Sequence, residues 1–152
     1  MPVHYGHLVR ILHWCTDQAI TSALEQMGLT AAQGRILGYV AHHNGPPCPK
    51  DIENAFHLSH PTVSGLLSRL EQKAFLQLRT DPEDRRCKRI YLLEKGMTCQ
   101  EQIGLLIRQH EARIVQGFTP EEQAQFASYL QRAVENLGGN FCPSKPKEES
   151  HT

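Results

Sequence analysis

No stretch of this chain has the uninterrupted apolar length of a membrane span. The opening MPVHYGHLVRILHW lacks the basic region and apolar core of a secretory signal, so the protein is expected to be cytoplasmic. Neither sign of charge is in excess, with 16 Lys and Arg against 16 Asp and Glu, and bulk electrostatics therefore announce no polyanion partner. The five cysteines, Cys15, Cys48, Cys87, Cys99 and Cys142, are odd in number and irregularly spaced, with no CxxC pair. That pattern argues against a disulfide framework or a zinc ribbon. There is no glycine-rich phosphate loop, no HExxH and no GxSxG; His110-Glu111 opens like a zinc motif, but position 114 is Ile114. An enzyme is thus the remote reading, and neither cofactor nor metal is expected.

What the chain does have is local. From Arg69 to Lys95 eight cations stand against five anions. Ahead of them, Val63, Leu66, Leu67 and Leu70 fall at i, i+3, i+4 and i+7, so a helix over Pro61–Lys73 buries one stripe. Its other face carries Thr62, Gly65, Ser68 and Arg69, small hydroxyls and one cation of the kind that suits a DNA groove. Ser59 is placed to cap this helix, with Pro61 in its first turn, and Phe56 to Ser59 becomes the turn of a helix-turn-helix. Leu76, Leu78, Ile90 and Leu92 alternate with Gln77, Arg79, Arg89 and Tyr91, the period of a half-buried hairpin whose tip is Thr80 to Arg86.

The remainder reads as helix. Leu8, Ile11, Leu12, Cys15, Ala19, Ala23 and Met27 share one stripe of a first helix closed by Gly28. Thr30 and Gln33 form a capping box for a second helix ending near His43. GPPCP, with three prolines in four residues, is a rigid connector to a short helix over Lys50–Phe56, with Ile52 and Phe56 inward. A long helix follows from Glu94 to about Gly117, and Thr119-Pro-Glu-Glu122 opens a last one through Phe126, Leu130, Val134 and Leu137. The polar end, 139–152, is expected to be disordered.

LSHPTVSGLLSRLE at the helix, DPEDRR in the turn and the closing LLEKG together resemble the multiple-antibiotic-resistance regulator (MarR) family of bacterial repressors, over Leu8 to Leu137. The resemblance implies a mainly α, single-domain winged helix-turn-helix: a DNA-binding part over 30–93, dimerisation helices over 4–28 and 94–138. It implies a homodimer on an inverted-repeat operator, with the wing arginine that matches Arg86 in a minor groove and the acid that matches Asp84 orienting it. Ser59, His60, Pro61, Thr62, Ser64, Ser68, Arg69, Arg79, Asp84, Arg85, Arg86 and Lys88 are then the candidate DNA-binding residues. Two departures stand out. Ala74 occupies a position where the family usually has glycine, and the chain is expected to turn there without a left-handed step; Leu93 replaces a hydroxyl cap.

Three modes of sensing follow. A small aromatic effector would sit in the apolar pocket the family encloses, with Trp14, Tyr39, His42, His43 and His110 as candidate lining. Zinc would need His42 or His43 to converge with His110 and Glu25 or Glu111. Oxidation at Cys15 is third, since that thiol falls on the buried stripe. The rival to DNA binding is a winged helix that docks a protein through an apolar groove, against which stand Arg86 and the small polar helix face.

Overall fold

A computed structural model describes residues 2–139. It contains α1 (Tyr5–Gln26), α2 (Ala31–His42), α3 (Pro49–Phe56), α4 (His60–Gln72), β1 (Leu76–Thr80), β2 (Lys88–Leu92), α5 (Glu94–Ile114) and α6 (Pro120–Asn136). The expectation about the polar tail falls, from residue 140 onward, outside the described residues. The chain divides into two compact units, one ending at His110 and one starting at Glu111. Among the described residues no helix is long and apolar enough to cross a membrane.

In the first unit, α2 packs on α4 and β2, α3 on α4 and β2, and α4 on β1. The core they enclose is aliphatic apart from Phe75: Ile36, Leu37, Ile52, Val63, Leu67, Leu70, Phe75, Leu76 and Ile90 are buried, joined by Cys99 and Ile103 of α5 and by Leu24 of α1. Each such side chain contributes on the order of 1.5 to 3 kcal/mol when taken fully from water. The hairpin pairs Leu76 with Leu92 and Leu78 with Ile90, which puts the four apolar residues on the face toward the core. On its open side the Ile90 N–H donates to the carbonyl of Pro47 at 2.9 Å, which ties the proline connector to β2. Pro47 is buried there.

Caps fix the helix starts. Thr30 and Gln33 exchange bonds of 3.0 and 3.2 Å at α2. At α3 the Cys48 N–H donates to Asp51 Oδ2 at 2.8 Å, which holds the Asp51 carboxyl below its ordinary value. The exits are less relaxed. His57, after α3, has φ 52°, and Ala74, after α4, has φ 62°. The expectation at Ala74 is corrected: Ala74 N–H donates to the Glu71 carbonyl and Phe75 N–H to the Leu70 carbonyl, both at 3.0 Å. This paired closure requires a left-handed residue whatever its side chain.

Gly96, in the first turn of α5, passes so close to the preceding loop that a Cβ there would lie 2.2 Å from the carbonyl oxygen of Phe75. The same oxygen accepts the Leu93 N–H at 3.0 Å, and Lys95 Nζ reaches the Lys73 carbonyl at 3.0 Å. The start of α5 is thus pinned to the end of α4 without the hydroxyl cap that Leu93 displaces.

The N-terminal half of α1 is different. Leu8, Val9, Ile11 and Trp14 are exposed, and so is Cys15. The reading that put Cys15 on a buried stripe is corrected for the chain by itself: periodicity marks an apolar face but does not supply what covers it.

In the second unit, Thr119 and Glu122 form a capping box at 2.8 and 3.2 Å, and Phe118 meets Phe126 edge to face at 5.7 Å. None of the residues of α6 is buried.

Candidate nucleic-acid interface

α4 turns its apolar stripe inward and leaves Ser59, His60, Pro61, Thr62, Ser64, Gly65, Ser68 and Arg69 exposed. At its start the Ser59 and Thr62 hydroxyls bond each other at 2.8 Å, while the Thr62 N–H lies 3.4 Å from Ser59 Oγ. Cap and exposed hydroxyls are therefore one small cluster. Glu71, which could have neutralised Arg69, is engaged elsewhere: its Oε2 accepts the N–H of Leu78 at 2.7 Å and ties the end of α4 to β1. Among the described residues Arg69 has no ion pair.

The wing is folded by its acids. Asp81 accepts the Glu83 N–H at 3.0 Å and the Arg89 Nε–H at 3.0 Å, and the two together, the backbone donor first, hold its carboxyl below the ordinary value. Asp84 Oδ1 accepts the N–H of Arg86 at 3.0 Å. The acid thus fixes the backbone of the wing arginine rather than its guanidinium. The Asp81 N–H to the Cys87 carbonyl and the Cys87 N–H to the Asp84 carbonyl close the loop. Burial, then the nearby Asp84 charge, pushes the Cys87 thiol up.

Of the clustered cations, Arg89 is thus structural, reaching also to the Pro46 carbonyl at 3.5 Å, and Arg79 lies over the Tyr91 ring at 4.7 Å. Arg85, Arg86 and Lys88 are exposed and, among the described residues, carry no ion pair. Between α4 and the wing runs a cleft of about 430 Å³ lined by His60, Ser64, Ser68, Glu71 and Lys88 among others.

One cluster was missed at the level of sequence. Glu53 of α3 is buried and accepts from Lys50 Nζ at 3.1 Å and from His60 Nδ1 at 2.6 Å. Lys50, then His60, hold its carboxyl below the ordinary value against the opposing effect of burial. The i, i+3 spacing of Lys50 and Glu53 was a visible signal. The bond to His60 was not, because it depends on how the His57 turn aims α4.

The candidate effector residues are scattered in the chain. Tyr39 lies 5.3 Å from the ring of His43 and 5.6 Å from Phe56. His42 and His43 turn their Nδ1 atoms onto the carbonyls of Gly38 and Gly45, at 2.8 and 2.9 Å. Trp14 is 61% exposed, and His110 is half-buried on α5. Among the described residues no group of three or more His, Cys, Asp or Glu side chains could hold a metal ion, so the zinc arrangement is not assembled. A cavity of about 710 Å³ lies elsewhere, lined by Met27, Ala74, Phe75, Leu93, Thr98 and Cys99 among others.

Comparison with known proteins places this geometry. The MarR family model matches residues 27–86, which span α2, the helix-turn-helix and the wing through Arg86. The chain is similar to S. aureus MepR in a crystal structure of a MepR–DNA complex, at 31% identity, covering 90% of this chain and 100% of that one with a TM-score of 0.69. It is equally similar to S. aureus MepR bound to ethidium bromide, at 31% identity over 89% of this chain and 97% of that one, TM-score 0.70. A proposed MarR regulator from Clostridium acetobutylicum is 28% identical over 87% and 97% of the two chains, TM-score 0.69. Likeness of that identity over nearly the whole of both chains carries more than fold, and this chain belongs to the MarR family of winged-helix transcriptional regulators.

Proposed function

We propose that the chain acts as a cytoplasmic homodimeric repressor that binds an inverted-repeat duplex and releases it on meeting a small-molecule effector. The observation that carries the reading is the pairing of a small polar face on α4 with Arg85, Arg86 and Lys88 at the wing, which among the described residues carry no ion pair, Lys88 meeting that face across the cleft. Thr62, Ser64 and Ser68 suit base edges in a major groove, Arg69 a phosphate, and Arg86 the adjacent minor groove. The relative solved with DNA supports the duplex, and the one solved with ethidium bromide supports an effector. The candidate place for such an effector in this chain is the open hollow at Met27, Phe75 and Cys99. Its wall includes Ala74, the residue that ends α4, so a ligand there bears on the exit of the recognition helix.

The test is binding to operator fragments selected from the protein's own genome. Arg86→Ala is expected to weaken affinity by about 1 to 3 kcal/mol and to relax preference for A·T-rich flanks. Arg69→Ala is expected to weaken all sequences alike and to lower the salt slope by about 1. Unchanged affinity for Arg86→Ala in a gel shift at moderate salt overturns the wing assignment.

A further inference from the structure

Only two polar side chains are buried among the described residues, Gln33 and Glu53. Gln33 closes the α2 cap. Glu53 carries a charge at 7% exposure, in a place where an apolar residue would escape the cost of desolvating a carboxylate. Its two oxygens are divided between two basic side chains that are themselves open to solvent, Lys50 at 73% and His60 at 78% exposure. The buried acid therefore does not neutralise a buried base. It fixes two exposed ones beside the start of α4, and His60 lines the cleft between α4 and the wing together with Ser64, Ser68 and Lys88.

We propose that Glu53 is a positioning residue which aims the exposed His60 ring so that its Nε2 is presented to the DNA backbone, with duplex affinity rising as pH falls. The proposal rests on the duplex-binding reading above. Against a carboxylate at 2.6 Å, Nδ1 must be the donor, which leaves Nε2 as the free nitrogen of the ring. In a neutral ring Nε2 is an acceptor and opposes a phosphate oxygen. In a charged ring it is a donor and bonds one. The charged group in contact with His60 is Glu53 of α3, whose other oxygen takes Lys50, while Glu71 and Lys88 line the same cleft. A phosphate oxygen arriving opposite Nε2 favours the charged ring over the neutral one. Binding then takes up as much as one proton per protomer, and affinity changes by up to about tenfold per pH unit per protomer across the titration.

The experiment is fluorescence anisotropy of the full chain on a mixed-sequence duplex of about 30 base pairs at fixed low salt, from about pH 5.5 to about pH 8.5. A phosphate contact needs no operator. Wild type is expected to lose about tenfold or more in affinity across the range. His60→Gln removes that share of the slope, and Glu53→Leu, which fills the buried site and removes the acceptor, removes the same share. The double variant is no weaker than either single one. Arg86→Ala, by contrast, lowers affinity at every pH and keeps the slope, which separates positioning of His60 from general loss of contact. Circular dichroism melts of both variants above pH 6 verify that the fold persists. A wild-type slope in His60→Gln, or unchanged affinity and slope in Glu53→Leu, overturns the proposal while leaving duplex binding intact. Failure of wild type to bind at any pH overturns this proposal and the duplex reading together.

Discussion

Helices α4 and α6 are written in the same local grammar. Each is preceded by a hydroxyl residue whose oxygen accepts an N–H of the first turn, Ser59 and Thr119, and each has a proline in its first turn. Both carry apolar residues at helical spacing. Yet α4 buries Val63, Leu67 and Leu70 and α6 buries nothing, leaving Tyr129, Leu130, Val134 and Leu137 exposed. Helix α1 repeats the contrast within itself, open at Leu8, Ile11 and Trp14 and buried only at Leu24. Caps and propensity settle where a helix starts and stops; burial needs a second surface. The winged helix finds that surface in its own chain. We propose that the apolar faces left open on α1 and α6 are covered by a second copy.

The largest effect that would break this contrast is removal of the proposed partner surface. A chain lacking residues 1–20 is expected to aggregate or to run as a poorly folded species in analytical ultracentrifugation, because the rest of the apolar face loses its cover. A well-behaved monomer that still bound duplex would show that α1 serves no assembly.

Within the winged helix the expected sensitivity is of another kind, a matter of fit. Gly96→Ala places a methyl 2.2 Å from the Phe75 carbonyl oxygen, a backbone atom that cannot swing aside as a side-chain end would, with Leu92 Cδ2 beside it at 3.2 Å. The substitution is expected to cost about 3 kcal/mol and to lower the melting temperature by roughly 10 °C. A melt within a degree or two of wild type would mean that the junction between α4 and α5 is looser than the contact requires.

The contrast also explains what could be read from the residues alone. Helices, hairpin and caps were legible because each is local: Thr30 with Gln33, Thr119 with Glu122, Leu76 and Leu78 against Ile90 and Leu92. The exposed face of α4 was legible for the same reason, as the complement of its apolar stripe. What escaped depends on chain segments meeting across turns. Nothing in the order of residues shows that Asp81 rather than Asp84 takes the Arg89 guanidinium, that Glu71 is spent on the Leu78 amide, or that Glu53 reaches His60. Cys15 failed in the opposite sense, since its stripe was read correctly and its cover was assumed. The cavity walls were likewise set by how α4 ends, at a residue where a left-handed turn was not expected.

That turn gives the smallest and sharpest test. Helices α1 and α6 are followed by left-handed glycines, Gly28 at φ 74° and Gly138 at φ 75°, whereas the two helices of the helix-turn-helix exit through His57 and Ala74 in the same conformation. Backbone strain is thus concentrated where the recognition helix is set. A left-handed alanine costs on the order of 1 kcal/mol in the native state. Glycine relieves this but gives the unfolded chain more freedom, which returns about 0.4 to 1 kcal/mol. The two nearly cancel, and the strain is expected to win slightly because the paired bonds from Ala74 and Phe75 to Glu71 and Leu70 hold the turn in place. Ala74→Gly should therefore raise stability by about 0.5 kcal/mol, read as a higher urea midpoint at unchanged slope. A lower midpoint would mean that the alanine methyl, which lines the cavity beside Met27 and Cys99, contributes more by packing than it costs by strain.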